Sequence, residues 1–183
     1  MKKLLLALLL FPLLCNAQSD HIDILQENRI DAATGDSIMH TYWFVLARAT
    51  IGDPLNLFFR ITRINNEYFL DVKAMDAGDN MVIARGEPLD LLLDDGNKIR
   101  LYNSEYEASC IGCGARGYAG SDAQGVLLTY PIYKADLQKL QYRYPDKVRL
   151  YNADGYWYKR IDVNNSDVFI HEINLISNSR ARN

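Results

Sequence analysis

The chain has 183 residues, with 20 Lys and Arg against 23 Asp and Glu and a formal net charge of −3. That mildly acidic balance, without a basic cluster, argues against nucleic acid, whose phosphates need a concentrated Lys/Arg footprint, and against electrostatic docking on anionic lipid. The length suits one domain and is enough to bury a core without staples.

Residues 1–17 read as a secretory signal peptide. Lys2 and Lys3 form a positive start, and Leu4–Leu14 is an apolar run interrupted by Pro12. That run is too short to span a bilayer, which needs roughly 20 apolar residues. Cys15-Asn16-Ala17 places small residues before a cut, so cleavage after Ala17 would begin the domain at residue 18 and carry it to 183. The rival reading makes Cys15 a lipid anchor, although Leu14 stands where lipoprotein signals want a small residue. Either way the expectation is export, to the periplasm, the cell envelope or the outside. No later segment is long and apolar enough to be a transmembrane helix.

Most of the remaining chain alternates with period two between turn residues, as antiparallel strands with one buried face do. His21–Ile24 begins this way. Asp31–Asp36 supplies a turn, and residues 38–51 read as one long strand carrying Tyr42, Trp43 and Phe44. Leu55, Leu57, Phe59 and Ile61 share one face, Asn65-Asn66 turns the chain, and Tyr68, Leu70, Val72 and Ala74 return, since Asn tolerates positive φ. A second hairpin runs from Leu89–Leu93 through Asp94-Asp95-Gly96-Asn97 to Ile99 and Leu101, with Asp-Gly as the turn signal. Val126–Ile132 is a further strand. Leu137, Leu140 and Tyr144 then define a short amphipathic helix over 134–144, started by Asp136 and stopped by Pro145. Strands over 147–152 and 156–163 surround Ala153-Asp154-Gly155, and 168–176 reads as a last edge strand. About nine strands and one short helix predict a mainly-β fold, an antiparallel β-sandwich or a curled sheet.

Lys98-Ile99-Arg100-Leu101-Tyr102-Asn103 and Lys147-Val148-Arg149-Leu150-Tyr151-Asn152 are near-copies. The similarity ends within a few residues on both sides, and two copies make neither a solenoid nor a propeller. The simpler account is one good strand solution used twice, with Lys, Arg and Tyr outward and Ile, Val and Leu inward.

Between the copies lies the glycine-rich stretch 109–125, with Cys110 and Cys113. Half of a zinc site is present, but tetrahedral structural zinc needs four ligands and there is no second cysteine pair. A thioredoxin-type pair would sit at a helix start, and 115–120 has no helical pattern. Haem attachment requires His where Gly114 stands. In an oxidising compartment, the reading left is a local disulfide between Cys110 and Cys113, with free thiols and metal or redox work as alternatives. No Gly-x-Ser-x-Gly or His-Glu-x-x-His occurs, His171-Glu172 falls in the expected edge strand, and Asp94-Asp95 and Asp76…Asp79-Asn80 sit at turns, where Asp and Asn bond their own backbone. No metal ligand set, catalytic residue or cofactor is expected.

Ten of the 12 tyrosines fall between Tyr102 and Tyr158, with Trp157 among them. Exposed Tyr and Trp offer large rigid area and a polar tip, suited to sugar stacking or a protein interface. A second small core between helix and sheet would use them as well.

The order of Asp31-Ala32-Ala33-Thr34-Gly35, a Trp43 strand, the Leu89–Leu101 hairpin, and Tyr130-Pro131-Ile132-Tyr133-Lys134-Ala135-Asp136-Leu137 leading into Val148-Arg149-Leu150-Tyr151 resembles uncharacterised exported β-rich proteins of Bacteroidetes-type bacteria, across most of the chain after the leader. The resemblance implies an exported β-rich fold and carries no activity. The cysteine loop is not part of it and reads as an insertion. The functional expectation is therefore a non-enzymatic exported domain that binds a protein or an envelope glycan through Tyr102, Arg116, Tyr118, Tyr151 and Trp157. The alternative is an enzyme, either a glycan-active hydrolase or a thiol oxidoreductase using the Cys110/Cys113 loop.

Overall fold

Alternating side chains and turn chemistry set most of the strand boundaries. The structure, a computed structural model, describes residues 25–76, 81–111 and 124–180. The leader, His21–Ile24, Asp79, Cys113, Arg116 and Tyr118 lie outside the described residues.

β1 (Glu27–Ile30) and β2 (Ser37–His40) form a hairpin whose turn is organised by Asp31. Its Oδ1 accepts hydrogen bonds from the Ala33 and Thr34 amides at 2.9 and 3.0 Å, an Asx-type turn. The long strand expected over 38–51 is present in two pieces, β2 and β3 (Phe44–Ala47), which both pair with β4 (Asn56–Ile64). Between them the Thr41 amide donates to the Ile61 carbonyl at 2.9 Å and the Thr41 Oγ1 accepts from the Ile61 amide at 2.9 Å. The register against β4 moves by one residue between His40↔Thr62 and Phe44↔Phe59, as at a bulge. The bulge lets Phe44 face the core while Trp43 lies over Arg60.

β4 and β5 (Glu67–Asp76) form the expected hairpin, in register from Asn56↔Met75 to Ile64↔Glu67. At its turn Asn65 adopts φ 56°, which Asn accommodates better than other residues with a Cβ. The Asn65 side chain accepts from the Ser37 amide at 3.0 Å and donates to Asp36 at 2.7 Å, fastening this turn to the first one.

β6 (Val82–Ile83) leads into β7 (Pro88–Leu93) and β8 (Lys98–Tyr102), the expected second hairpin. β9 (Glu107–Ala108) pairs with β6, and β10 (Cys110–Ile111) pairs with the start of β11 (Gln124–Ile132). Both flanks of the cysteine loop are thus strand. α1 (Lys134–Leu140) buries Leu137 and Leu140, and β12 (Pro145–Asn152) and β13 (Gly155–Arg160) follow.

The chain ends in α2 (Val163–Asn178), where an edge strand over 168–176 was expected. Val168, Ile170, Ile173 and Ile176 are β-branched or aliphatic and suggest a strand, but Phe169, Ile173 and Ile176 are spaced i, i+4, i+7 and all three are fully buried. The Asp162 side chain accepts from the Asn164 amide at 3.0 Å and so caps the helix start. At the other end Arg63 donates to the Ser179 carbonyl at 3.0 Å, placing a cation where the helix dipole favours one.

The first sheet runs β1-β2-β4-β5-β11-β10, with β3 also on β4, and the second runs β13-β12-β7-β8. All the pairings are antiparallel. Leu57, Phe59, Ile61, Leu70, Val72 and Leu128 of the first sheet share one core with Leu89, Leu91, Ile99, Leu101, Val148 and Leu150 of the second. α2 adds Phe169, whose ring stands 4.9 Å from that of Phe59. The fold is a mainly-β, antiparallel β-sandwich, with two helices among the described residues. Among the described residues no helix is long and apolar enough to cross a membrane.

Candidate functional site

Since β7, β8 and β12 each turn alternate residues into the core, their other residues must share the opposite face. On β8 these are Lys98, Arg100 and Tyr102, on β7 Pro88, Asp90 and Leu92, and on β12 Lys147, Arg149 and Tyr151. β13 contributes Tyr156, Tyr158 and Arg160. Pairing sets these side chains in rows. Arg100, Asp90, Arg149 and Tyr158 lie in one row, and Lys98, Leu92, Lys147 and Arg160 in the next.

Asp90 is the centre of this face. Its side chain is 0 % exposed and accepts Arg100 Nε at 2.6 Å, Arg100 Nη2 at 2.8 Å and the Tyr151 hydroxyl at 3.1 Å. Lys98 Nζ stands 3.6 Å away. Burial by itself pushes the Asp90 carboxyl up, but the Arg100 hydrogen bonds and charge, with Tyr151 and Lys98, outweigh it and hold the pKa below the usual carboxylate value. The bidentate fork also orients the Arg100 guanidinium 5.5 Å from the Tyr151 ring centroid.

Arg149 is held differently. Its guanidinium lies 5.4 Å from the Tyr156 ring and 5.6 Å from the Tyr158 ring, and its buried Nε has no hydrogen-bond partner among the described residues. Tyr151 and Tyr156 are in ring contact at 5.4 Å. The other four cations of the face are paired, Lys98 and Arg100 with Asp90, Lys147 and Arg160 with Asp146. Arg149 is the one cation of the face without a carboxylate among the described residues.

Of the residues that the sequence nominated, Tyr102 is 53 % exposed at the end of β8 and Tyr151 is half-buried against Asp90. Trp157 pairs with Leu150 and packs against the main core, so it belongs to the other side of β13. Arg116, Tyr118 and Cys113 lie outside the described residues, and Cys110 is placed only as backbone of β10. The Cys110/Cys113 disulfide therefore lies outside what the structure describes. Asp90, Arg100, Arg149, Tyr156 and Tyr158 were not nominated. The near-copy Lys-x-Arg-x-Tyr was the available signal, because identical alternation on two strands puts three identical groups outward twice.

The remaining polar features have local explanations. Asp95 accepts from the Asn97 amide at 3.0 Å and from its side chain at 2.9 Å, which is turn chemistry. His171-Glu172 lies in α2 with Glu172 buried. Glu105 and Glu107 line a recess of about 120 Å³ with Asn103, Ser104, Leu127 and Thr129, where burial, then the Glu105 charge, pushes Glu107 up. A larger recess of about 680 Å³ lies beside the start of α2, lined among others by Arg48, Arg160 and Asp162. On the outer side of the first sheet, Trp43 stands under Arg60 at 4.8 Å and Lys73 at 4.2 Å and packs with Val45, Phe58 and Met75. Among the described residues, no group of three or more His, Cys, Asp or Glu could hold a metal ion. No protein-family model, curated protein or solved structure matches the chain.

Proposed function

We propose that this protein is an exported, non-enzymatic binding domain that recognises a protein or an envelope glycan through the outer face of the β13-β12-β7-β8 sheet. The observation that carries the reading is the convergence there of Tyr102, Tyr151, Tyr156 and Tyr158 around Arg100 and Arg149. Tyrosine gives large contact area at low entropy cost, and the Arg149 guanidinium lies against the Tyr156 and Tyr158 rings with no carboxylate partner among the described residues. Export is supported by the short apolar leader and by the small residues around Ala17. The resemblance to exported β-rich proteins of Bacteroidetes-type bacteria points to the same compartment.

A glycan-active hydrolase needs two carboxylates in a recess that takes a sugar. Glu105 and Glu107 come nearest, but their recess of about 120 Å³ is below the roughly 300 Å³ at which ligand pockets begin. An exposed sheet face bearing Tyr102, Tyr156 and Tyr158 suits docking better than turnover.

The test is co-sedimentation of the purified protein with isolated bacterial envelopes. Wild type is expected in the pellet, and a Tyr102→Ala/Tyr151→Ala/Tyr156→Ala variant with unchanged circular dichroism in the supernatant. Equal sedimentation of the two would overturn the reading.

A further inference from the structure

The candidate face carries a translational repeat. β8 and β12 both run antiparallel to β7, hence in the same direction as one another. Lys98 and Lys147 both pair with Leu92, Arg100 and Arg149 both pair with Asp90, and Leu101 and Leu150 both pair with Leu89, which sets Tyr102 and Tyr151 beyond them in one row. The second Lys-x-Arg-x-Tyr comb is therefore the first one moved sideways by two strand spacings, about 10 Å. A linear polymer crossing the strands meets the same groups again after that distance, and the two-residue repeat of a linear pyranose chain is of comparable length.

Charge narrows the polymer. The face holds Lys98, Arg100, Lys147, Arg149 and Arg160 against Asp90 and Asp146, in a chain whose formal net charge is −3. Most of those cations are already paired, so the surplus is small and widely spaced. A duplex with one phosphate charge per roughly 1.7 Å would go largely unmatched. An extended acidic peptide, with a side chain every roughly 3.3 Å, would crowd the single uncommitted Arg149 and offer the tyrosines no flat ring. Sugar rings with an occasional carboxylate satisfy both kinds of group.

Resting on the binding reading above, we propose that the face takes a linear uronate polysaccharide laid across the strands. Sugar rings lie on Tyr102, Tyr151 and Tyr156, and a carboxylate is received by Arg149. Asp90 occupies the fork of Arg100, so that comb contributes chiefly its ring and Lys98.

Native affinity gels test this with the protein expressed from the whole chain. Hyaluronan and heparosan, which carry one carboxylate per two-sugar repeat, should retard it, and neutral hydroxyethylcellulose and poly-glutamate should not. Arg149→Gln should weaken retardation about tenfold, as the loss of a charge-assisted contact does, and Arg149→Lys should restore part of it at low salt. Absence of retardation by both uronates, equal retardation by the neutral polymer or by poly-glutamate, or an Arg149→Gln variant of wild-type circular dichroism that binds normally would each overturn the proposal. If the uronates fail while the triple tyrosine variant still leaves the envelope pellet, only the ligand class is wrong. If neither assay depends on the face, the binding reading falls too.

Discussion

Arg100→Ala probes how the candidate face is built. The substitution removes both nitrogens of the fork from Asp90, a carboxylate that is 0 % exposed in the wild type, and leaves it the Tyr151 hydroxyl at 3.1 Å and Lys98 at 3.6 Å. Removing one partner of a buried pair costs about 3–5 kcal/mol when the other is left uncompensated. Because Tyr151 and Lys98 remain, and because Arg100 is itself 37 % exposed and screened by water, the expected loss is about 2–3 kcal/mol. In urea that corresponds to a midpoint lowered by about 1 M, followed by the fluorescence of Trp43 and Trp157. The loss should depend on pH. In the wild type the Asp90 pKa lies below the usual carboxylate value, so its stabilisation is present above the unfolded pKa and is lost as pH falls through the folded one. In the variant burial dominates and raises that pKa, so the variant's deficit is largest at neutral pH and shrinks on acidification. Replacing both members, Asp90→Leu with Arg100→Leu, should recover much of the loss, since no charge is stranded. A loss below about 0.5 kcal/mol at pH 7, the size of an ordinary surface substitution, or a deficit that does not change with pH, would refute the role given to Asp90.

Phe169→Ala removes a fully buried ring between α2 and β4 and should cost about 3–5 kcal/mol in guanidinium unfolding; a loss under about 1 kcal/mol would mean that α2 does not pack as described. Asn65→Ala keeps neither side-chain bond and strains a residue at φ 56°, so it should cost about 1–2 kcal/mol, and more than Asn65→Gly, which relieves the strain alone; the reverse order in thermal melts would contradict that. Burial and the Arg60 charge hold the His40 pKa below 6.5, against the opposing pull of Glu27 and Asp71. The unfolded chain then binds more protons just below that value, so stability should fall as pH drops from neutral through the folded pKa. Urea midpoints should show a flatter profile over this range for His40→Asn, and an unchanged slope would exclude His40 as its source.

The mainly-β class and both central hairpins were legible from residues alone, because period-two alternation and Asn-Asn or Asp-Gly turns are local signals that the fold did not override. Asn65 shows how local: its positive φ is a property of the residue, although its bonds to Ser37 and Asp36 could not be foreseen. The last element is a helix although Val168, Ile170 and Ile173 locally favour a strand, because the Phe169, Ile173 and Ile176 stripe is buried only where a sheet face covers it. Trp157 and Tyr158 are neighbours in the chain, yet pairing sends one to the core and the other to solvent. The sequence by itself determined the strand pattern, the duplicated Lys-x-Arg-x-Tyr and the alternation of its side chains. Only the tertiary structure decided that both copies flank β7 and that Asp90 lies between Arg100 and Arg149, because strand order in a sheet is set by long-range packing that no local pattern encodes.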